Sequence, residues 1–389
     1  MFADNAPDWT AMLSNYNGWT GADGIYTVNL DGKDYDAGRN PDNQRTFFIF
    51  SDTITGNVNP ITDRRPSSQM PWNTSAILTG GKPDTTKITF RHPPVGTRIE
   101  GVIVPNPPIP ATNGTQMYYW MGDNFVINNK LYIYALKIDT KPGTGFDQVG
   151  VDLVSYNITG GNIDYNSLTH YNDTGSRLSR RVNTLQIWHF GGAVFENTAE
   201  AGAVNPDGYI YIFGYYDGRN NENWNRDMIL ARVLPADITN FSEYRYLDVN
   251  NQWVNNMDNP KFLANFISPE FSVSQMKFGP NAGKFVLVNT HFTITDEVTV
   301  RFSDSLIAGF PNRDFNNHSI FLHDMRTAIV GRENTTYNAK AHPALSTERE
   351  LFITYNMNGG GGHWDVFTFG NIYRPHFIRY AQVPLTAQY

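Results

Sequence analysis

Asp23, in Gly21-Ala22-Asp23-Gly24, opens the apolar run Ile25–Leu30, and Asp52, in Ser51-Asp52-Thr53, closes the run Phe47–Phe50. Paired as an antiparallel hairpin, the start of one run lies beside the end of the next. Both carboxylates then sit at one end of one sheet. Their Cβ atoms would be about 4.5–5.5 Å apart if directly opposite, or about 7–8 Å on the diagonal. Two carboxyl groups so placed can hydrolyse a glycosidic bond, a reaction that needs them about 5–5.5 Å apart for retention and about 6.5–9.5 Å apart for inversion. Sequence fits both ranges. Burial and like-charge repulsion would hold one of the pair protonated near neutral pH. Alone, Asp23 before Gly24 reads as a turn residue and Asp52 as a strand-end cap. Their meeting at one hairpin end favours chemistry.

Other residues stand at the entries of similar strands. Asp123 (Gly122-Asp123-Asn124) repeats the context of Asp23. Glu270 (Ser268-Pro269-Glu270-Phe271) and His342 (Lys340-Ala341-His342-Pro343) occupy equivalent places further on. Asp123 and Glu270 are candidate assistants to the acid pair. His342 is a candidate sugar or metal contact, with a satisfied core imidazole as the alternative. Arg301, inside a strand, is a candidate substrate clamp or an ion-pair partner between sheets. Trp72, Trp120, Trp188, Trp224 and Trp364 lie near strand ends or in polar loops, where indole rings offer flat apolar faces with a polar edge. The loops Arg219–Arg226 and Gly359–Asp365 read as rims; the latter's four glycines suit a lid.

These residues need a frame that gathers distant segments. Five short aromatic and β-branched runs recur along the chain: Phe47–Phe50, Leu131–Leu136, Tyr209–Gly214, Lys284–Asn289 and Leu351–Tyr355. Each reads as a strand buried on both faces. Each follows another strand and a turn of hairpin type, among them Asn128-Asn129 and Pro206-Asp207-Gly208. Phe125–Ile127, Ala193–Phe195, Val273–Phe278 and Pro343–Leu345 are the predicted partners. The fold expected is all-β: a five-bladed β-propeller of antiparallel four-stranded blades over residues 1–389, with approximate blades 19–110, 111–185, 186–265, 266–335 and 336–389. A pair of β-sandwiches is the alternative.

Composition agrees and excludes much else. Of 389 residues, 14% are aromatic and only 17% are charged, which opposes disorder. A net charge of −7 argues against nucleic acid as a partner. The absence of Cys excludes disulfides and thiolate chemistry. No apolar run reaches the roughly 20 residues of a membrane span, and the first residues carry no signal peptide. There is no Gly-x-Ser-x-Gly elbow, His-Glu-x-x-His helix or P-loop.

The segment Trp19-Thr20-Gly21-Ala22-Asp23-Gly24-Ile25-Tyr26, followed by Phe48-Ile49-Phe50-Ser51-Asp52-Thr53, resembles the opening of a bacterial family of propeller domains classed as endo-D-arabinanases, glycoside hydrolase family 183. That family pairs an Asp-Gly-x-Tyr segment with an aliphatic strand ending in Phe-Gly-Asp-Thr. Further echoes are Tyr211-Ile212-Phe213-Gly214 before Leu230-Ala231-Arg232-Val233, Phe271-Ser272-Val273 before Val300-Arg301-Phe302-Ser303, and His342-Pro343 before Ile353-Thr354-Tyr355-Asn356. The resemblance implies furanoside hydrolysis, with the catalytic acids at Asp23 and Asp52. A remoter likeness to family 43 arabinanases and xylosidases implies two Asp and one Glu about the axis, for which Asp23, Asp123 or Asp52, and Glu270 are the candidates. The sequence departs from the family in carrying Ser51 where Gly is usual and a long insert, Asp31–Arg45.

The expected activity is therefore hydrolysis of an arabinofuranose-containing or related polysaccharide. It would act on a polysaccharide or oligosaccharide in a secreted, periplasmic or cell-surface setting. No cofactor is required, although an axial structural cation such as calcium is compatible. The rival expectations are a carbohydrate-binding propeller without catalysis and a structural propeller that docks proteins.

Overall fold

The computed structural model describes residues 1–36, 41–94, 100–143, 145–183, 186–218, 226–311, 318–322, 334–360 and 364–382. The predicted apolar runs form strands. Arg45–Phe50, Lys130–Thr140, Phe285–Thr290 and Glu350–Asn358 each lie second in an antiparallel sheet, Tyr209–Asp217 lies third in a longer sheet that begins with Ser179–Asn183, and all five are mostly buried. Alternate residues point to opposite faces of a strand, so an unbroken apolar run requires a covering layer on both sides.

The strands that precede and pair with these five are Tyr26–Asn29, Tyr118–Ile127, Gln186–Asn197, Ser272–Gln275 and Thr335–Ala341. Hydrogen bonds and packing link each sheet to the next. The Met121 N–H donates to Ser51 Oγ (2.9 Å), and the Val194 N–H donates to Asp123 (2.7 Å). Gly192 lies against Phe271, and the Ala341 N–H donates to Ser272 Oγ (2.7 Å). The ring closes where His342 Nδ1 meets Thr27 Oγ1 (3.1 Å). This circular stacking of antiparallel sheets is a β-propeller.

Ser51, the departure from the usual Gly, has a place in this linkage. Its hydroxyl takes the Met121 N–H, which a glycine there could not do. Between the first two sheets, Val28, Phe47, Ile49, Tyr119, Met121 and Ile133 form one buried cluster. Burying each such side chain stabilises the fold by about 1.5–3 kcal/mol.

Two features differ from the sequence-based expectation. The first strand of the last sheet is Thr335–Ala341, which pairs with Glu350–Asn358, and not Pro343–Leu345. His342 consequently follows that strand instead of opening it. The residues Thr335-Thr336-Tyr337-Asn338-Ala339-Lys340-Ala341 contain no apolar run to mark a strand. The same sheet takes its outermost strand from the chain start: Phe2–Asn5 pairs antiparallel with His376–Ala381, Phe2 opposite Ala381. The two ends of the described chain are thus stitched into one sheet.

Candidate active site

The first hairpin sets the acid pair. Tyr26 lies opposite Ile49, and continuing that register brings Asp23 opposite Asp52. The Asp23 N–H donates to the Asp52 carbonyl (3.1 Å), and the Ser51 N–H donates to the Asp23 carbonyl (2.9 Å). Gly24 allows this closeness. Its φ is +58°, and a Cβ there would lie 2.4 Å from Ser51 Oγ. Both Asp residues are half-buried. Two hydroxyls donate to Asp23 Oδ2, from Tyr373 (2.7 Å) and Tyr337 (3.0 Å). Trp120 Nε1 donates to Asp52 Oδ1 (2.9 Å).

Burial pushes the Asp23 carboxyl well above the usual carboxylate range, and Asp52 and Glu270 add like-charge repulsion; the two tyrosines oppose the rise. Burial also raises Asp52, to about 7, against the indole bond and with help from Glu270. Such a pair holds on to a proton near neutral pH. One member can then donate a proton while the other is ionised.

Glu270 belongs to the same cluster, since its charge acts on both acids. It forms an ion pair with Lys340, whose Nζ also lies 4.4 Å from the centre of the Tyr26 ring. Asp123 stands apart. It sits inside strand Tyr118–Ile127, at a break in register, and not at the strand entry. The Asn124 N–H (2.8 Å) and the Val194 N–H (2.7 Å) each donate to one of its oxygens. Its charged neighbours are Asp34 and Lys340, and burial raises it to about 7. With Asp34, Glu196 and Tyr26 it lines an axial cavity of about 20 Å³, room for a single water.

The structure places His342 in the core, where Thr27 Oγ1 (3.1 Å) and Thr354 Oγ1 (2.7 Å) engage both ring nitrogens. Neither nitrogen is left for a sugar or a metal, and burial lowers the imidazole to about 3. Arg301 is buried in the sheet that begins with Ser272–Gln275, donating to the Asn265 carbonyl (2.8 Å). It is not a clamp at the carboxylates. Among the described residues, no group of three or more His, Asp or Glu is arranged to hold a metal ion.

The tryptophans divide. Trp120 reaches Asp52 directly, and its ring meets Phe146, which is 58% exposed. Tyr118 connects it to Trp72, stacked at 5.0 Å. These four rings make an aromatic wall that runs outward from Asp52. Trp188 is not part of that wall: it is buried against Tyr216 in a separate cavity. Trp224 and the side chain of Trp364 lie outside the described residues, as do 219–225 of one expected rim and 361–363 of the expected lid.

A family described as a domain of unknown function, DUF5005, matches residues 7–382. The chain belongs to that family. Among solved structures, a presumed hydrolase from Bacteroides ovatus superposes on the DUF5005 chain with a TM-score of 0.68 at 19% identity, over 97% of this chain and 90% of the other. The two share a fold. A GH43_1 enzyme from Xanthomonas citri complexed with xylotriose gives a TM-score of 0.42 at 13% identity, covering 97% and 93% of the two chains. An α-L-arabinanase from Penicillium chrysogenum complexed with arabinobiose gives 0.36 at 13% identity, covering 88% and 82%. Proteins of curated function give no match.

Sequence reasoning missed Tyr337, Tyr373 and Lys340, the partners of Asp23 and Glu270 in the DUF5005 site. The one available signal was a polar stretch next to a strongly apolar strand. Tyr337 and Lys340 lie on a polar but mostly buried strand at the edge of its sheet, as expected where a strand faces an axis instead of a core.

Proposed function

We propose that this DUF5005 chain is a glycoside hydrolase built on a five-bladed propeller, acting on an arabinofuranose-containing or related polysaccharide. The observation that carries the reading is the cross-strand pair Asp23–Asp52: two half-buried carboxyls with raised affinity for a proton, beside an aromatic wall. In this reading the protonated member donates to the leaving glycosidic oxygen, and the ionised member assists attack at the anomeric carbon. Tyr337 and Tyr373 orient Asp23. Glu270, held by Lys340, tunes the pair. Asp123 ties neighbouring inner strands and keeps the axis in register. The rings of Trp72, Trp120 and Phe146 offer apolar faces to successive sugars. This two-carboxylate chemistry needs no cofactor. A polysaccharide substrate suits a secreted, periplasmic or cell-surface location.

The test is a panel of plant and mycobacterial arabinans incubated with wild type, Asp23→Asn and Asp52→Asn. Oligosaccharides released by wild type and absent with both variants, each folded by circular dichroism, are the expected result. Binding of sugars with no product from any member of the panel would refute catalysis and leave a lectin-like propeller.

A further inference from the structure

The cavity that holds Trp188 does not belong to the carboxylate cleft. It measures about 390 Å³, within the range of small-molecule sites, and Trp188, Tyr216, Phe262, Arg180, Gln186 and Asp258 are among its walls. Its position follows from the strands. Gly122 packs against Gly191, and Asp123 is bonded to Val194, so Tyr118–Ile127 and Gln186–Asn197 run in the same sense. Trp188 precedes Gly191 as Trp120 precedes Gly122. It therefore lies toward the end of the propeller where Trp120 meets Asp52.

The hairpin of Ser179–Asn183 with Gln186–Asn197 separates the two places. Arg180 lies opposite Trp188, and Arg181 lies opposite Ile187. Successive strand residues point to opposite faces. Arg181 accordingly bonds Asp147 (2.9 Å), next to the Phe146 that caps the aromatic wall. Arg180 turns to the other side and bonds Asp258 (2.7 Å) at the cavity. One face of the hairpin serves the cleft and the other walls the cavity.

The lining has the chemistry of sugar recognition. The Phe262 ring is 47% exposed and lies nearly parallel to Tyr216, at 5.2 Å and 17°. Tyr216 rests in turn on Trp188 at 5.0 Å. This stack fixes a flat apolar face at the surface, with the Arg180–Asp258 pair and Gln186 as hydrogen-bonding groups beside it. The buried Trp188 Nε1 has no hydrogen-bond partner among the described residues, and an orphaned buried donor is costly unless something completes it.

We propose that this cavity is a second saccharide-binding site, which holds a stretch of polysaccharide remote from the bond being cut. The proposal rests on the carbohydrate reading above, and two readouts keep the two separable. The first is kinetic. Phe262→Ala should raise KM on polymeric arabinan about tenfold, the loss of roughly 1.4 kcal/mol of contact, while leaving kcat/KM on a short arabino-oligosaccharide unchanged. An unaltered KM on the polymer would overturn the second site without touching catalysis. The second readout needs no activity. In protein labelled with 15N at the indoles, the Trp188 resonance is assigned by its loss in Trp188→Phe. Arabino-oligosaccharide should shift it in the Asp23→Asn background, where nothing is cleaved. If hydrolysis fails but this resonance moves and Phe262→Ala abolishes the movement, the second site stands and the hydrolase reading falls. If the resonance does not move with any sugar of the panel, the site is refuted.

Discussion

Replacing Asp52 by Asn isolates the charge on one of the paired acids while keeping its shape. The amide oxygen can still accept the Trp120 indole bond, which is 2.9 Å in the wild type. What disappears is the ability to ionise. In the folded chain the Asp52 carboxyl titrates at about 7 against an ordinary 3.8, chiefly because it is buried and further because Glu270 is near. The fold thus binds this proton more tightly than the unfolded chain does. The stabilisation that protonated Asp52 contributes is complete below about pH 3.8 and is lost as the pH rises through about 7. Holding the carboxyl that far above its ordinary value corresponds to about 4 kcal/mol for a group wholly cut off from solvent. Asp52 keeps part of its surface in contact with solvent, so screening should bring the measurable effect nearer 2 kcal/mol. Urea unfolding of wild type and Asp52→Asn in steps between pH 4 and 8 reads this directly. The two should be equally stable at pH 4, and the variant should gain about 2 kcal/mol over wild type by pH 8. A difference that stays flat across that window, or a variant that is weaker at pH 8, would refute the buried-pair argument. The same variant should lower the proton affinity of Asp23, which loses a like-charge neighbour.

Three further substitutions probe the site's supports. Tyr373→Phe removes a donor to Asp23 whose bond favours the ionised form; the Asp23 limb of the pH–rate profile should move to higher pH, with activity down about tenfold for one charge-assisted bond. Lys340→Met leaves Glu270 without its ion-pair partner and should cost about 3 kcal/mol at pH 7 by denaturant unfolding, with most of the loss recovered in the double variant Lys340→Met, Glu270→Gln. Additive losses in that cycle would show that the pair does not act as a unit. Gly122→Ala puts a Cβ 2.4 Å from the Gly191 carbonyl oxygen and should destabilise by about 1–3 kcal/mol; a neutral effect would contradict the close passage of the two inner strands.

What the sequence could disclose depended on how local the signal was. Asp23 and Asp52 were legible because antiparallel pairing brings the start of one strand beside the end of the next whatever the length of the insert between them: with Tyr26 opposite Ile49, the neighbouring ends must meet. The doubly buried second strands were legible because burial on both faces leaves a continuous apolar run. Thr335–Ala341 was not, and its polar residues mark where it runs. It borders the axis, where Tyr337 reaches Asp23 and Lys340 reaches Glu270. Hydrophobic pattern, the main guide to strands, is silent for a strand of that kind. Phe2–Asn5 was hidden for another reason. It is a four-residue edge strand, largely exposed, and its partner lies at the far end of the chain.

His342 and Asp123 show why equivalent positions in a repeat need not do equivalent work. The sequence places both with Asp23, at the entry of an inner strand; the structure puts Asp123 inside its strand and His342 past the end of its own. The decisive variable is where along that strand each falls. Asp23 precedes its strand and remains half-buried, with two hydroxyls and a second acid around it. Asp123 lies several residues into its strand, where backbone N–H groups of two strands take both its oxygens. His342 lies past the end of its strand, at the seam where the ring closes, and threonines take both its nitrogens. Along one direction down the axis, then, the same kind of polar residue passes from a half-buried acid pair to groups that tie strands together. Asp23 and Asp52 have partners that tune a proton, while Asp123 has partners on both oxygens and His342 on both ring nitrogens. An inner-strand residue in this fold is better judged by its distance from the strand's entry than by its identity.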